Sequence, residues 1–185
     1  MQGRRPRADA AANRAAVLLA AQSAFAEQGP DVALDEIARR AGVGPGTVHR
    51  HFPTKQALIA AVVVDRFTDL SALAESYIDM QDPGPAFFEY LHRLVGEAAH
   101  NQALAWALTA DRSEQVAAAG ATLRDRTGIL LRRAQRAGAV RGDLTDDDLH
   151  ALVVGAVEAE RRLPAERHGL GVEFLCSGLR AHAQG

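Results

Sequence analysis

Cysteine is all but missing from this chain. Cys176 stands alone among 185 residues, which excludes an internal disulfide and fits a reducing compartment. Aromatic residues make up only 5%, so a core has to be filled mainly by aliphatic side chains. The longest apolar run, Ala57 to Val64, is far too short to span a bilayer. The arginines near the N-terminus are followed by no apolar segment, so no signal peptide is expected, and the protein reads as cytoplasmic with no membrane partner. Strand-like alternation and internal repeats are lacking as well. Lysine is nearly absent too: Lys55 is the only one among 21 basic residues.

What is present is helical periodicity. Apolar residues reach 48%, and glycine and proline fall mostly between periodic segments, the pattern of an all-α protein. About nine helices are expected. The first runs from an Asp9 N-cap to about Gln28, burying Val17, Leu18, Ala21, Ala24 and Phe25. The second spans Leu34 to Arg40, with Asp31 as its nearest cap, and the third spans Pro45 to Phe52. Thr54 caps a long fourth helix from Lys55 to about Asp79. After the break Asp82-Pro83-Gly84-Pro85, a fifth helix covers Ala86 to Ala99 and a short one Gln102 to Ala110. Glu114 to Ala137 is long again. Thr145 and Asp148 form a capping box for a helix reaching Leu163, and Val172 to Ala183 is the last.

The stretch from Ala38 to Lys55 organises the rest. Gly42 sits where one helix must end, Pro45 suits the first turn of the next, and Val48 and Phe52 lie four apart on one face. Thr47, His49, Arg50 and Lys55 remain as a donor-rich surface. This is the outline of a helix-turn-helix, a device for laying a helix into the major groove of DNA. Charge agrees. Residues 1–55 hold eight basic against five acidic side chains, a net of +3, which leaves −5 for the remainder of a formal −2. Residues 1–9, with Arg4, Arg5 and Arg7 around Pro6, read as a disordered tail or as a basic arm that follows phosphates.

Residues 13–59 resemble the N-terminal DNA-binding domain of TetR-family transcriptional regulators. The resemblance is carried by Phe25 and Gly29, Ile37-Ala38, Ala41-Gly42-Val43, Thr47-Val48, His51-Phe52, Lys55 and Leu58. It implies a DNA-binding domain over 10–54 and a larger helical effector-binding and dimerisation domain over 55–185. It also implies a homodimeric repressor that binds a pseudo-palindromic operator and is released by a small-molecule effector. By position, Pro45, Gly46 and His49 would face base edges, while Thr47, Arg50, His51 and Lys55 would approach phosphates. His49 stands where the family commonly has tyrosine. Ala33 and Leu34 stand where it often has a threonine, so a capping hydroxyl is missing. With Gly44, Pro45 and Gly46 opening the third helix, few side chains can reach bases, and phosphate and shape contacts are expected to carry a large share.

Other constellations point less far. Glu89/His92 and Glu97/His100 have metal-ligand spacing, but both pairs lie on one helix, so they cannot form one cluster. No nucleophile elbow, phosphate loop or zinc spacing is present. No catalytic residue, metal or cofactor is therefore expected, and the protein reads as a non-enzyme. Phe67, Tyr77, Phe88, Tyr90, His92, Asn101 and Trp106 gather between the fourth and sixth helices as candidate lining of a ligand pocket. The penultimate helix is apolar almost all round. Leu149, Leu152, Val153 and Ala156, with Val172, Leu175 and Leu179 of the last helix, are the candidate dimer interface. The alternative is a helical ligand-binding or protein-interaction module whose head contacts a protein rather than DNA.

Overall fold

Local chemistry sets most helix ends. The computed structural model describes residues 5–29, 31–100 and 113–181, the main chain alone for 5–8. Among them run eight α-helices: α1 Arg5–Gln28, α2 Leu34–Ala41, α3 Pro45–His51, α4 Lys55–Ile78, α5 Pro83–His100, α6 Glu114–Arg136, α7 Asp146–Arg162 and α8 Leu170–Leu179. A single 3-10 turn, Ala165–Arg167, precedes α8. The expected helix over Gln102 to Ala110 lies outside the described residues.

Thr54 caps α4 by accepting from the Ala57 N–H at 3.1 Å. Ser113 does the same for α6. At α7 the capping box is complete: Thr145 accepts from the Asp148 N–H, and the Asp148 carboxylate accepts from the Thr145 N–H. Each such cap contributes roughly 1 kcal/mol. The last helix has no capping side chain of its own. The buried carboxylate of Glu160 on α7 substitutes, accepting from the N–H groups of Gly169 (2.8 Å) and Val172 (3.1 Å).

Several ends differ from expectation. The first helix starts at Arg5, so Asp9 lies inside it rather than capping it. Pro6 falls in the opening turn, where its missing N–H would have been unpaired anyway. The same reasoning moves the start of α5 back to Pro83: the turn Asp82-Pro83-Gly84-Pro85 is the entry of the helix, with the Ala86 N–H already bonded to the Asp82 carbonyl. Ala33, not Asp31, is the N-cap of α2, and no side chain bonds there. The final helix closes at Leu179. Beyond it the chain is tied to the turn after α6 by Arg141 N–H to Leu179 O and Ala181 N–H to Ala139 O.

Packing joins these elements through one continuous hydrophobic core. Helices α1, α2 and α3 pack on one another as a head, and α1 also lies along α4. The body is built by α4 against α6, α5 against α7 and α8, and α7 against α8. Helix α4 belongs to both. It buries Leu58, Ile59, Val62 and Val63 in its first half and Phe67, Leu70, Ala74 and Tyr77 in its second.

Candidate nucleic-acid interface

The head presents α3 outward because its neighbours grip only one of its faces. Val48 is fully buried and Phe52 nearly so. The turn before α3 depends on Gly42, whose φ of +67 lets its N–H reach back to the carbonyls of Ala38 and Arg39. The Arg14 guanidinium of α1 lies 5.5 Å over the Phe52 ring, a cation–π contact that clamps the far end of α3. That contact carries no signal in the sequence, since the two residues are distant along the chain.

On the open side stand Pro45, Gly46, His49 and Arg50, all exposed. Arg50 makes no ion pair among the described residues, whereas Arg39 and Arg40 are both spent. The Glu36 carboxylate accepts from Arg39 at 2.7 and 2.8 Å and from Arg40 at 2.9 Å, and Arg40 continues to Glu27 of α1 at 2.7 Å. Hydrogen bonds from Arg39 and then Arg40 hold the Glu36 carboxyl down to about 2. These two arginines therefore clip α2 to itself and to α1. Thr47 is half-buried. His51 is half-buried too, its Nε2 enclosed and without a partner, its ring tilted against Phe52. Lys55 opens α4 with its ammonium 4.0 Å from the exposed Asp31 carboxylate. Arg4 lies outside the described residues, and Arg5 and Arg7 belong to the first turns of α1.

Gly44 and Gly46 need explaining. A Cβ added at either would meet nothing within 4 Å, and neither has the positive φ that favours glycine. Packing and backbone strain therefore do not demand them. What their bareness does is let another molecule's backbone come close to the start of α3.

The body holds a cavity between α4, α5, α6 and α7. Phe67, Leu70, Leu94, Ala98, Leu123, Leu149, Val153, Val154 and Val157 form its apolar wall, and Arg124, Thr127, Asp146 and His150 supply its polar groups. Its free volume is about 60 Å³. Of the residues expected to line a pocket, Phe67 alone among those described lines this cavity, while His92 lines a separate one with His100, Glu160 and His168. Tyr90 stands behind the wall, its hydroxyl 2.9 Å from Thr127 Oγ1, with burial pushing it up to about 12. Tyr77 donates to Glu89 at 2.8 Å, and Phe88 lies under the Arg180 guanidinium at 4.3 Å. His92 bonds the Phe88 carbonyl through Nδ1, which also sits 3.8 Å from the buried Cys176 sulfur. The aromatics cluster along the sequence but point to different sides of α4 and α5. Asn101 and Trp106 lie outside the described residues. No group of three metal-ligating side chains occurs among the described residues.

The expected dimer stripe also proves to be mostly internal. Leu149, Val153, Ala156, Val172, Leu175 and Leu179 are buried within the chain itself, and only Leu152 of that set is exposed, at 45%. On the outer side of α7 and α8 lies an apolar groove lined by Leu152, Ala156 and Leu175 of that set together with Ala151, Gly155, Ala159, Leu170, Gly171 and Phe174. Phe174 there is 72% exposed. An all-round apolar helix has two sides to cover, and the protomer covers only one.

Comparison with known proteins places both halves. Residues 82–181 match the family model described as the C-terminal domain of SbtR-like transcriptional regulators, and residues 17–62 match bacterial regulatory proteins of the tetR family. A TetR transcription regulatory protein from Mycobacterium vanbaalenii is 42% identical, the match covering 95% of this chain and 99% of that one with a TM-score of 0.71. A TetR transcriptional regulator from Streptomyces coelicolor is 28% identical over 92% of this chain and 99% of its own, with a TM-score of 0.69. The HTH-type transcriptional repressor Rv3405c of Mycobacterium tuberculosis is 44% identical over 63 residues, 34% of each chain. The matches span less than half the length of these curated relatives.

Proposed function

The chain belongs to the TetR family of bacterial transcriptional regulators, and on that premise we propose that it is a cytoplasmic repressor that binds a pseudo-palindromic operator as a homodimer. The observation that carries this reading is the outer side of α3, where Pro45, Gly46, His49 and the unpaired Arg50 stand clear of the protein. Two such helices on a two-fold dimer would enter successive major grooves about 34 Å apart. Thr47, His51 and Lys55 border the same side. Lys55 and the first N–H groups of α4 would converge on one phosphate. The basic residues Arg4, Arg5 and Arg7 would add phosphate contacts beside it.

The head would comprise residues 10–54 and the effector-binding and dimerisation body 55–185. Dimerisation would use the outer groove of α7 and α8, with Leu152 and Phe174 as anchors. A small molecule in the body cavity would release the operator by binding more tightly to a conformer in which the two α4 helices hold the heads at the wrong separation. Selection of genomic fragments with purified protein tests the central statement. A palindromic site should emerge, and its affinity should fall steeply with salt. Arg50→Ala combined with Lys55→Ala should abolish binding in a protein that still folds; undiminished affinity in that variant would exclude α3 as the reading element.

A further inference from the structure

We propose that the body cavity is built for a small apolar anion, a carboxylate, with Arg124 as the residue that reads its charge; this rests on the cavity being the effector site. The wall is hydrocarbon, so most of any guest must be apolar. Its polar groups decide the rest. Thr127 is occupied twice, bonded to Tyr90 Oη and donating to the Leu123 carbonyl. The Asp146 carboxylate is paired with Arg132. His150 is engaged within the protein. Arg124, half-buried, lines the same space and has no hydrogen bond or ion pair among the described residues.

Among the described residues Arg124 is therefore the charged group on the wall left without an intramolecular partner, and a guanidinium only donates. A guanidinium has five N–H groups, no acceptor and a permanent charge, and its fork matches a carboxylate bidentately. An alcohol can accept from it but brings no charge. An amine faces a cation, and the Asp146 carboxylate on the wall is already paired with Arg132. Asp146 does not cancel this preference, because Arg132 already neutralises it. The apolar wall strengthens the pairing by keeping water away.

Gly120 lines the same space, and a Cβ there would already touch the Phe67 ring at 3.4 Å, so a longer side chain would fill the cavity. The cavity is not fully enclosed, so a short chain can seat one end in the free volume of about 60 Å³ while the other reaches its mouth.

Three probes of one length separate the possibilities: hexanoate, hexan-1-ol and hexylamine, each titrated calorimetrically into the full-length protein without DNA. Hexanoate should bind at least tenfold more tightly than hexan-1-ol, and hexylamine should not bind. Arg124→Gln should lower hexanoate affinity roughly tenfold to a hundredfold, the worth of a charged hydrogen bond, to the level of the alcohol. Arg124→Lys should retain much of the preference. Gly120→Leu should exclude hexanoate. If hexan-1-ol binds as tightly as hexanoate, or Arg124→Gln changes nothing, the carboxylate assignment falls while the cavity reading stands. If none of the three binds, the cavity reading falls and takes the assignment with it. Undiminished hexanoate binding by Gly120→Leu would place the probe elsewhere and overturn the proposal.

Discussion

The side-chain amide of Gln22 on α1 donates to the carboxylate of Asp65 on α4 at 2.8 Å, joining the head to the long helix well beyond its first turn. Gln22 is buried and Asp65 half-buried, so removing the amide leaves a poorly solvated carboxylate without its partner. Gln22→Ala should destabilise the protein by about 1.5–3 kcal/mol, the range for a lost hydrogen bond to a charged group. Urea denaturation checks it, and a change within a few tenths of a kcal/mol would mean that water replaces the amide at no loss.

Gly46 separates folding from recognition. It lies in the first turn of α3 with open space around its α-carbon. Alanine there should raise stability by about 0.5 kcal/mol, because glycine loses more chain entropy on entering a helix. Operator affinity should move the other way, since the added methyl would fill the bare surface that the proposed reading helix turns toward DNA. A melting curve and a retardation assay on Gly46→Ala should therefore disagree in sign; matching signs would contradict this role.

Acid should loosen the Glu36 ion-pair cluster on α2. Glu36 has an ordinary value of 4.5, held down to about 2 by Arg39 and Arg40 in the folded chain. A depressed carboxyl stabilises the fold fully above its unfolded value and loses that contribution as pH falls from there through about 2. Melting temperature should therefore be insensitive to Glu36 between pH 7 and about 5, then decline toward pH 2. Glu36→Gln should flatten that decline. An unaltered acid profile in the variant would assign the loss to other carboxylates.

Charge placed on the outer groove of α7 and α8 should break a dimer without unfolding the protomer. Leu152 and Phe174 are exposed, so Leu152→Asp with Phe174→Asp disturbs little of the internal core. Sedimentation should show a monomer with native helix content and much weaker operator binding. Val153→Asp is the contrasting case: Val153 is buried, and an aspartate there should destabilise folding itself by several kcal/mol. A dimer that survives the double substitution would place the interface on another face.

What could be read in advance was local. The Thr145/Asp148 box, the Thr54 cap, the Gly42 turn and the apolar faces of α1, α2 and α4 depend on neighbours within a turn or two, and the sequence carries that spacing directly. Facing relationships were harder to read. Tyr77, Phe88 and Tyr90 lie close along the chain yet point to a carboxylate, an arginine and a threonine in three directions. The two apolar sides of α7 look alike in sequence, and only tertiary packing decides which one the protomer keeps. Arg124 gives no signal at all, since an unpaired cation beside an apolar cavity becomes visible only when its neighbours are in place.

The packing of α1 along α4 bears on how this regulator could be rewired. A chimera joined at Thr54 would transplant the reading surface without the floor it stands on, leaving Gln22 opposite a foreign residue. The transferable piece is longer than the helix-turn-helix. It extends past Asp65, and a recombinant exchanging its head with a relative's would keep this contact only if the seam lay beyond that residue.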